Sequence, residues 1–97
     1  MTELHTGTEH VVNIVKHSQL DAVVQTEAIA ALRKEAAALD DFFAGLHYKA
    51  PTALPAFAEG FARYAIGVMQ PVLLQHNVPL PTGRAVYDNI YASICGK

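Results

Sequence analysis

The chain is 97 residues long, 52% apolar and only 16% charged, with a formal net charge of −2. That length fits one domain, residues 1–97, and a domain of this size buries a smaller share of its surface than a larger one. The seven cations form no basic stripe, since only Arg33 and Lys34 are adjacent and Glu35 follows them, so direct nucleic-acid binding and an anionic membrane surface are both disfavoured.

A single cysteine, Cys95, excludes an internal disulfide and a metal-binding cysteine pair. The segment MTELHTGTEH has no basic stretch followed by an apolar run. The expectation is a chain without a signal peptide in a reducing cytoplasm.

In chain order, Thr6 and Glu9 make a capping-box pattern ahead of Val11, Val12, Ile14 and Val15. Four β-branched residues in five positions suit a strand. The rest of the chain offers no partner strand, however, and the spacing fits a short helix. Helix is the expectation, with pairing to a second copy as the strand's only route.

Thr26–Tyr48 carries the longest helical signal. Ile29, Leu32, Ala36, Leu39, Phe43 and Leu46 fall on one stripe, and Arg33, Lys34, Glu35, Asp40 and Asp41 lie mostly off it, as a solvated face. Ser18 and Asp21 offer an earlier start near Gln19. Gly45 is a candidate C-cap, and Pro51 stops any continuation.

Thr52–Gln75 is predicted as a second long helix, with Thr52 as N-cap and Pro55 in the first turn. Leu54, Phe57, Phe61, Ala65, Val68 and Val72 form its series, widened by Ala58, Ala62, Met69 and Leu73. Gly60 and Gly67 suggest close approach by another backbone or a bend. Pro71 is expected to kink the helix rather than break it. The interval between Arg63 and Arg84 holds no Lys, Arg, Asp or Glu. Gln70, Pro71, Gln75, His76 and Asn77 interrupt it too often for a membrane span. His76–Gly83 reads as a loop, and a last helix is predicted from Gly83 to Ile94, capped by Thr82 and striped by Val86 or Tyr87, Ile90 and Ile94.

The chemistry-bearing residues are sparse. His10 and His17 are two turns apart, too far for one metal ion without further ligands, and no metal-ligand motif occurs. Asp40 and Asp41 are adjacent and diverge on a helix. An enzyme would need His47 to converge with one of them. No cofactor is expected. The tyrosines combine an apolar ring with a polar tip, which suits an interface.

These observations predict an all-α domain of three or four helices, with the two long helices antiparallel and the core completed as a homodimer. The expected function is protein binding, not catalysis. Phe57, Phe61, Tyr64, Val68, Met69, Val72 and Leu73 are the candidate partner-binding face. The alternative is a small-molecule carrier or sensor with a pocket between the two long helices.

The segments AIAALRKEAAALDDFF and FARYAIGVMQPVLL give the chain a general resemblance to the QslA-like antiactivators, small cytoplasmic bacterial inhibitors of the quorum-sensing receptor LasR. The resemblance spans the whole chain in character and has no signature motif, so it assigns no residue roles. It implies an inhibitor that binds the ligand-binding domain of a LuxR-type transcription factor and blocks its dimerisation and DNA binding.

Overall fold

Among the described residues five α-helices account for most of the structure. The computed structural model describes residues 7–45 and 51–95. The helices are α1 (Gly7–Lys16), α2 (Ala22–Lys34), α3 (Ala36–Ala44), α4 (Leu54–Gln75) and α5 (Leu80–Cys95), with a 3-10 turn at Pro51–Ala53 before α4. No strand occurs among the described residues. The fold is all-α, with one helix more than the upper end of the expected three or four.

The first β-branched run is helix. Val11, Val12 and Val15 are all buried, and their spacing of three and four puts them on one face. Burial on that face outweighs the strand preference of branched side chains. The capping-box reading at Thr6 falls outside the described residues.

The long central signal divides. α2 ends at Lys34 and α3 begins at Ala36, with Glu35 between them at φ −102° and ψ 21°. The Glu35 N–H closes on the Leu32 carbonyl at 3.1 Å, and the Glu35 carbonyl accepts from Leu39 N–H at 3.0 Å. No glycine or proline marks this junction. The two halves share their neighbours unequally: α2 packs on both α4 and α1, and α3 mainly on α1. α2 starts with Asp21 as N-cap residue, between the two starts expected from the sequence. Gly45 closes α3 in right-handed backbone, not in the left-handed form that favours glycine. Leu46 and Tyr48 lie outside the described residues.

The α1–α3 contact is tight at Gly7. A Cβ there would meet the Leu39 carbonyl oxygen and Phe43 Cβ, each at 2.6 Å. One residue on, the Thr8 N–H donates to Asp40 Oδ1 at 2.9 Å. Thr8 Oγ1 donates to the same oxygen at 2.7 Å. An acidic side chain from α3 therefore caps the N-terminus of α1, satisfying an otherwise orphan donor and facing the positive end of the helix dipole. Asp40 is thus not part of a solvated face. Asp41 is exposed, as expected.

α4 runs unbroken from Leu54 to Gln75, with Pro71 inside it. Pro71 has no N–H for the Gly67 carbonyl, but both residues are exposed and water can serve that carbonyl. The N-cap residue is Ala53, not Thr52, and it makes no side-chain cap bond. Glu27 early in α2 meets His76 just past α4 at 2.9 Å, whereas Phe42 in α3 meets Phe57 near the start of α4 with ring centroids 5.5 Å apart. The α2–α3 arm is therefore antiparallel to α4, as expected for the two long helices.

The core joins α1 and α2 to α4 and α5. Leu32, Leu39, Phe61, Met69 and Ile90 are its largest fully buried side chains. Phe61 is at its centre, with Phe43 5.2 Å and Phe42 5.6 Å away between ring centroids. The radius of gyration, 12.9 Å, is close to the roughly 12.5 Å expected of a compact chain of this length.

Candidate functional site

The residues predicted to bind a partner are mostly inside. Phe61 and Met69 are fully buried, and Phe57 and Leu73 are 8% exposed. These four supply the chain's own core; Phe61 and Met69 have no exposed surface, which corrects the expected face at those two positions, while Leu73 also lines the groove where α4 meets α5. Tyr64, Val68 and Val72 are half-buried and pack against that core. α4 therefore turns the line through Ala58, Ala62, Ala65, Met69 and Leu73 inward along with Phe57 and Phe61, while Val68 and Val72 slide to its margin. Among the described residues, only Val23, Phe42, Leu74 and Leu80 are exposed large apolar side chains. The fold thus takes much of the apolar content of a chain that is 52% apolar into its interior.

What remains is concentrated where α4 hands over to α5. A groove of about 490 Å³ opens there. One wall is the second half of α4, from Ile66 to Leu74, the floor is Val78 and Pro79, and the other wall is the first two turns of α5. Leu80 is 86% exposed and Leu74 is 66% exposed at its mouth. Tyr87 lies deeper and is half-buried.

Local chemistry fixes this mouth. Asn77 takes φ 55°, the left-handed region that asparagine tolerates better than other non-glycine residues. The Val78 N–H then donates to the Leu73 carbonyl at 2.9 Å and the Asn77 N–H to the Leu74 carbonyl at 3.1 Å. This pair of bonds is a Schellman cap, and Val78 packs against the core, an apolar contact that commonly accompanies such caps. The His76–Glu27 contact ties the same turn to α2. Pro79 follows, and its carbonyl accepts from Thr82 and Gly83 N–H groups at 3.0 and 3.2 Å, which starts α5 earlier than Gly83. Thr82 is thus inside the helix and is not its cap.

Arg84 is the only Lys, Arg, Asp or Glu among the groove's lining residues. Its Cζ lies 5.1 Å from the Tyr87 ring centroid, within cation–π range. Its Nε is 3.3 Å from Asp88 Oδ1, one turn further along α5.

Tyr64, Gly67 and Val68 line a second, more polar cleft with Lys34 and Arg63 between α2 and α4. Nothing lies within 4 Å of a Cβ built on Gly67, so no backbone approaches it. At Gly60 the nearest atom is a ring carbon of Phe42 at 3.4 Å.

The histidines divide between separate sites. His76 pairs with Glu27, and the His17 Nδ1 donates to the Asn13 carbonyl at 2.8 Å. The His10 ring stacks on Phe43, and its Nε2 is 2.6 Å from Ser93 Oγ. The Ser93 hydroxyl donates its one proton to the Ile90 carbonyl at 2.7 Å. His10 is therefore the donor to Ser93, the reverse of a base activating a nucleophile. Among the described residues no group of three or more metal-ligating side chains could hold an ion. None of their helices is long and apolar enough to cross a membrane. Cys95 is half-buried, and burial together with that thiol raises the Tyr91 phenol above its ordinary pKa. His47, the third member of the possible acid–base cluster, lies outside the described residues.

The groove residues missed in the sequence were Leu74, Leu80, Arg84 and Tyr87 as a set. A signal for them existed in Asn77 and Pro79, which mark a helix stop with a leucine on either side of it, each off its own helix's inward stripe. Comparison of the chain with protein families, with curated proteins and with solved structures finds no match.

Proposed function

We propose that the chain is a small protein-binding regulator whose docking surface is the α4–α5 groove. The observation that carries this reading is the exposure of Leu74 and Leu80 on either side of a capped, tethered turn. Apolar side chains held in water by a fixed backbone are costly unless a partner covers them. Two leucines of this kind contribute about 1.5–3 kcal/mol each when fully covered. The groove also lies almost wholly within the uncharged interval between Arg63 and Arg84, so little charge must be desolvated on docking.

The finer reading is an antiactivator that occupies a transcription factor's ligand-binding domain and blocks its dimerisation and DNA binding. It rests on the resemblance of the two helical segments to QslA-like inhibitors and fits a protein target rather than DNA. Self-association as a homodimer would use the same exposed leucines. A small-molecule carrier is the second reading, favoured by the volume and apolar lining of the same groove.

The test is retention of a stoichiometric protein from host lysate on immobilised wild-type chain and on Leu80→Asp. Leu80 is almost fully exposed, so the variant keeps the fold. Retention by the wild type and loss with Leu80→Asp supports the groove. Equal retention by both removes the groove from the account.

A further inference from the structure

Among its described lining residues the groove carries one formal charge, and it bears on what fills the groove. Arg84 sits beside an apolar wall, stacked on Tyr87, and its side chain is 73% exposed. A guanidinium has five N–H donors, and Asp88 is met through Nε. Donors remain for a second acceptor, and no carboxylate lines the groove itself. The α4 wall from Ile66 to Leu74 covers about 12 Å at 1.5 Å per residue. Anchors at i, i+3 or i+4, and i+7 of a docked helix span about the same length.

We propose that the occupant is an amphipathic helix of a partner protein, with apolar anchors against Leu74, Leu80 and Tyr87 and one carboxylate bound by Arg84. The proposal rests on the protein-docking reading of the groove and adds the partner's chemistry. Arg84 supplies selectivity by charge, and the leucines supply contact area. Asp88 is the nearest opposing charge, since it competes for the guanidinium and repels the incoming carboxylate. A free fatty acid carries similar chemistry in one chain, and the test separates the two.

The probes are two synthetic amphipathic helices of about 18 residues, long enough to be helical in water. Both carry leucines at the anchor spacing. They differ in one residue beside the anchors, Glu in one and Gln in the other. Each is titrated into the full-length, isotope-labelled chain and followed by amide shifts, with decanoic acid as the third probe. Both peptides are expected to shift Leu74, Val78, Leu80 and Tyr87, with the Glu peptide about fivefold tighter, the scale of a partly exposed charge pair. Arg84→Gln should erase that preference without weakening the Gln peptide. Asp88→Asn should enlarge it. Equal affinity of the two peptides for the wild type overturns carboxylate recognition and leaves the docking groove standing. Groove shifts with decanoic acid and with neither peptide overturn both.

Discussion

At Gly7 the absence of a side chain is a packing requirement. A methyl group would enter the space held by the Leu39 carbonyl and Phe43 Cβ, and backbone cannot yield there as a flexible side chain would. Gly7→Ala should therefore destabilise the chain by about 1–3 kcal/mol, the cost of overpacking. At Gly67, with open space around it, the same change should be neutral or stabilising by up to about 1 kcal/mol. Denaturant midpoints of the two variants check the contrast. The helical pattern around Gly60 and Gly67 points to close approach or a bend at those two positions. The glycine that matters for packing sits at the start of α1. Its neighbour across the interface is about 32 residues away, as the Thr8–Asp40 bond shows, and no local pattern reports such a contact.

Among the elements, α1 depends on α3. Asp40 accepts both the Thr8 N–H and the Thr8 hydroxyl. Asp40→Ala removes the acceptor for a part-buried donor and should cost about 1–2 kcal/mol. Asp41→Ala, on the exposed side, should stay within about 0.5 kcal/mol. Amide exchange gives the sharper readout: α1 should lose protection with Asp40→Ala while α4 keeps it. Periodicity made α1, α4 and α5 legible, since Val11, Val12 and Val15, then Phe57 and Phe61, then Val86 and Ile90 all lie on the stripes that their spacing implies. The division of the central helix at Glu35 was not legible. Arg33, Lys34, Glu35 and Ala36 all favour helix, and the bend is set by what α2 and α3 each pack against. The start of α5 was missed for a similar reason: the prolines at 79 and 81 read as loop, although proline suits a helix's first turn.

For the whole molecule, the decisive correction concerns where the apolar residues go. Among the described residues seventeen apolar side chains are buried, and they include most of the face expected to meet a partner. A charge at Phe61 should accordingly unfold the protein rather than dissociate it. Phe61→Ala alone should cost about 3–5 kcal/mol, a large part of the stability of a domain this small. Loss of the cooperative thermal transition would show it, whereas a folded, weakened complex would contradict the burial account. The candidate site could not be read from composition, because an apolar excess does not say which side chains the fold leaves outside. Only the docking of α5 on α4 leaves Leu74 and Leu80 exposed across one groove.

The most direct test of that groove is a photo-reactive benzoylphenylalanine placed at position 80 in the native host, with a second at Lys16, which is exposed on α1. A docking surface at the groove gives one dominant protein adduct from position 80 and none from position 16. No protein adduct at position 80, or the same adducts from both positions, would contradict a docking surface at the α4–α5 groove.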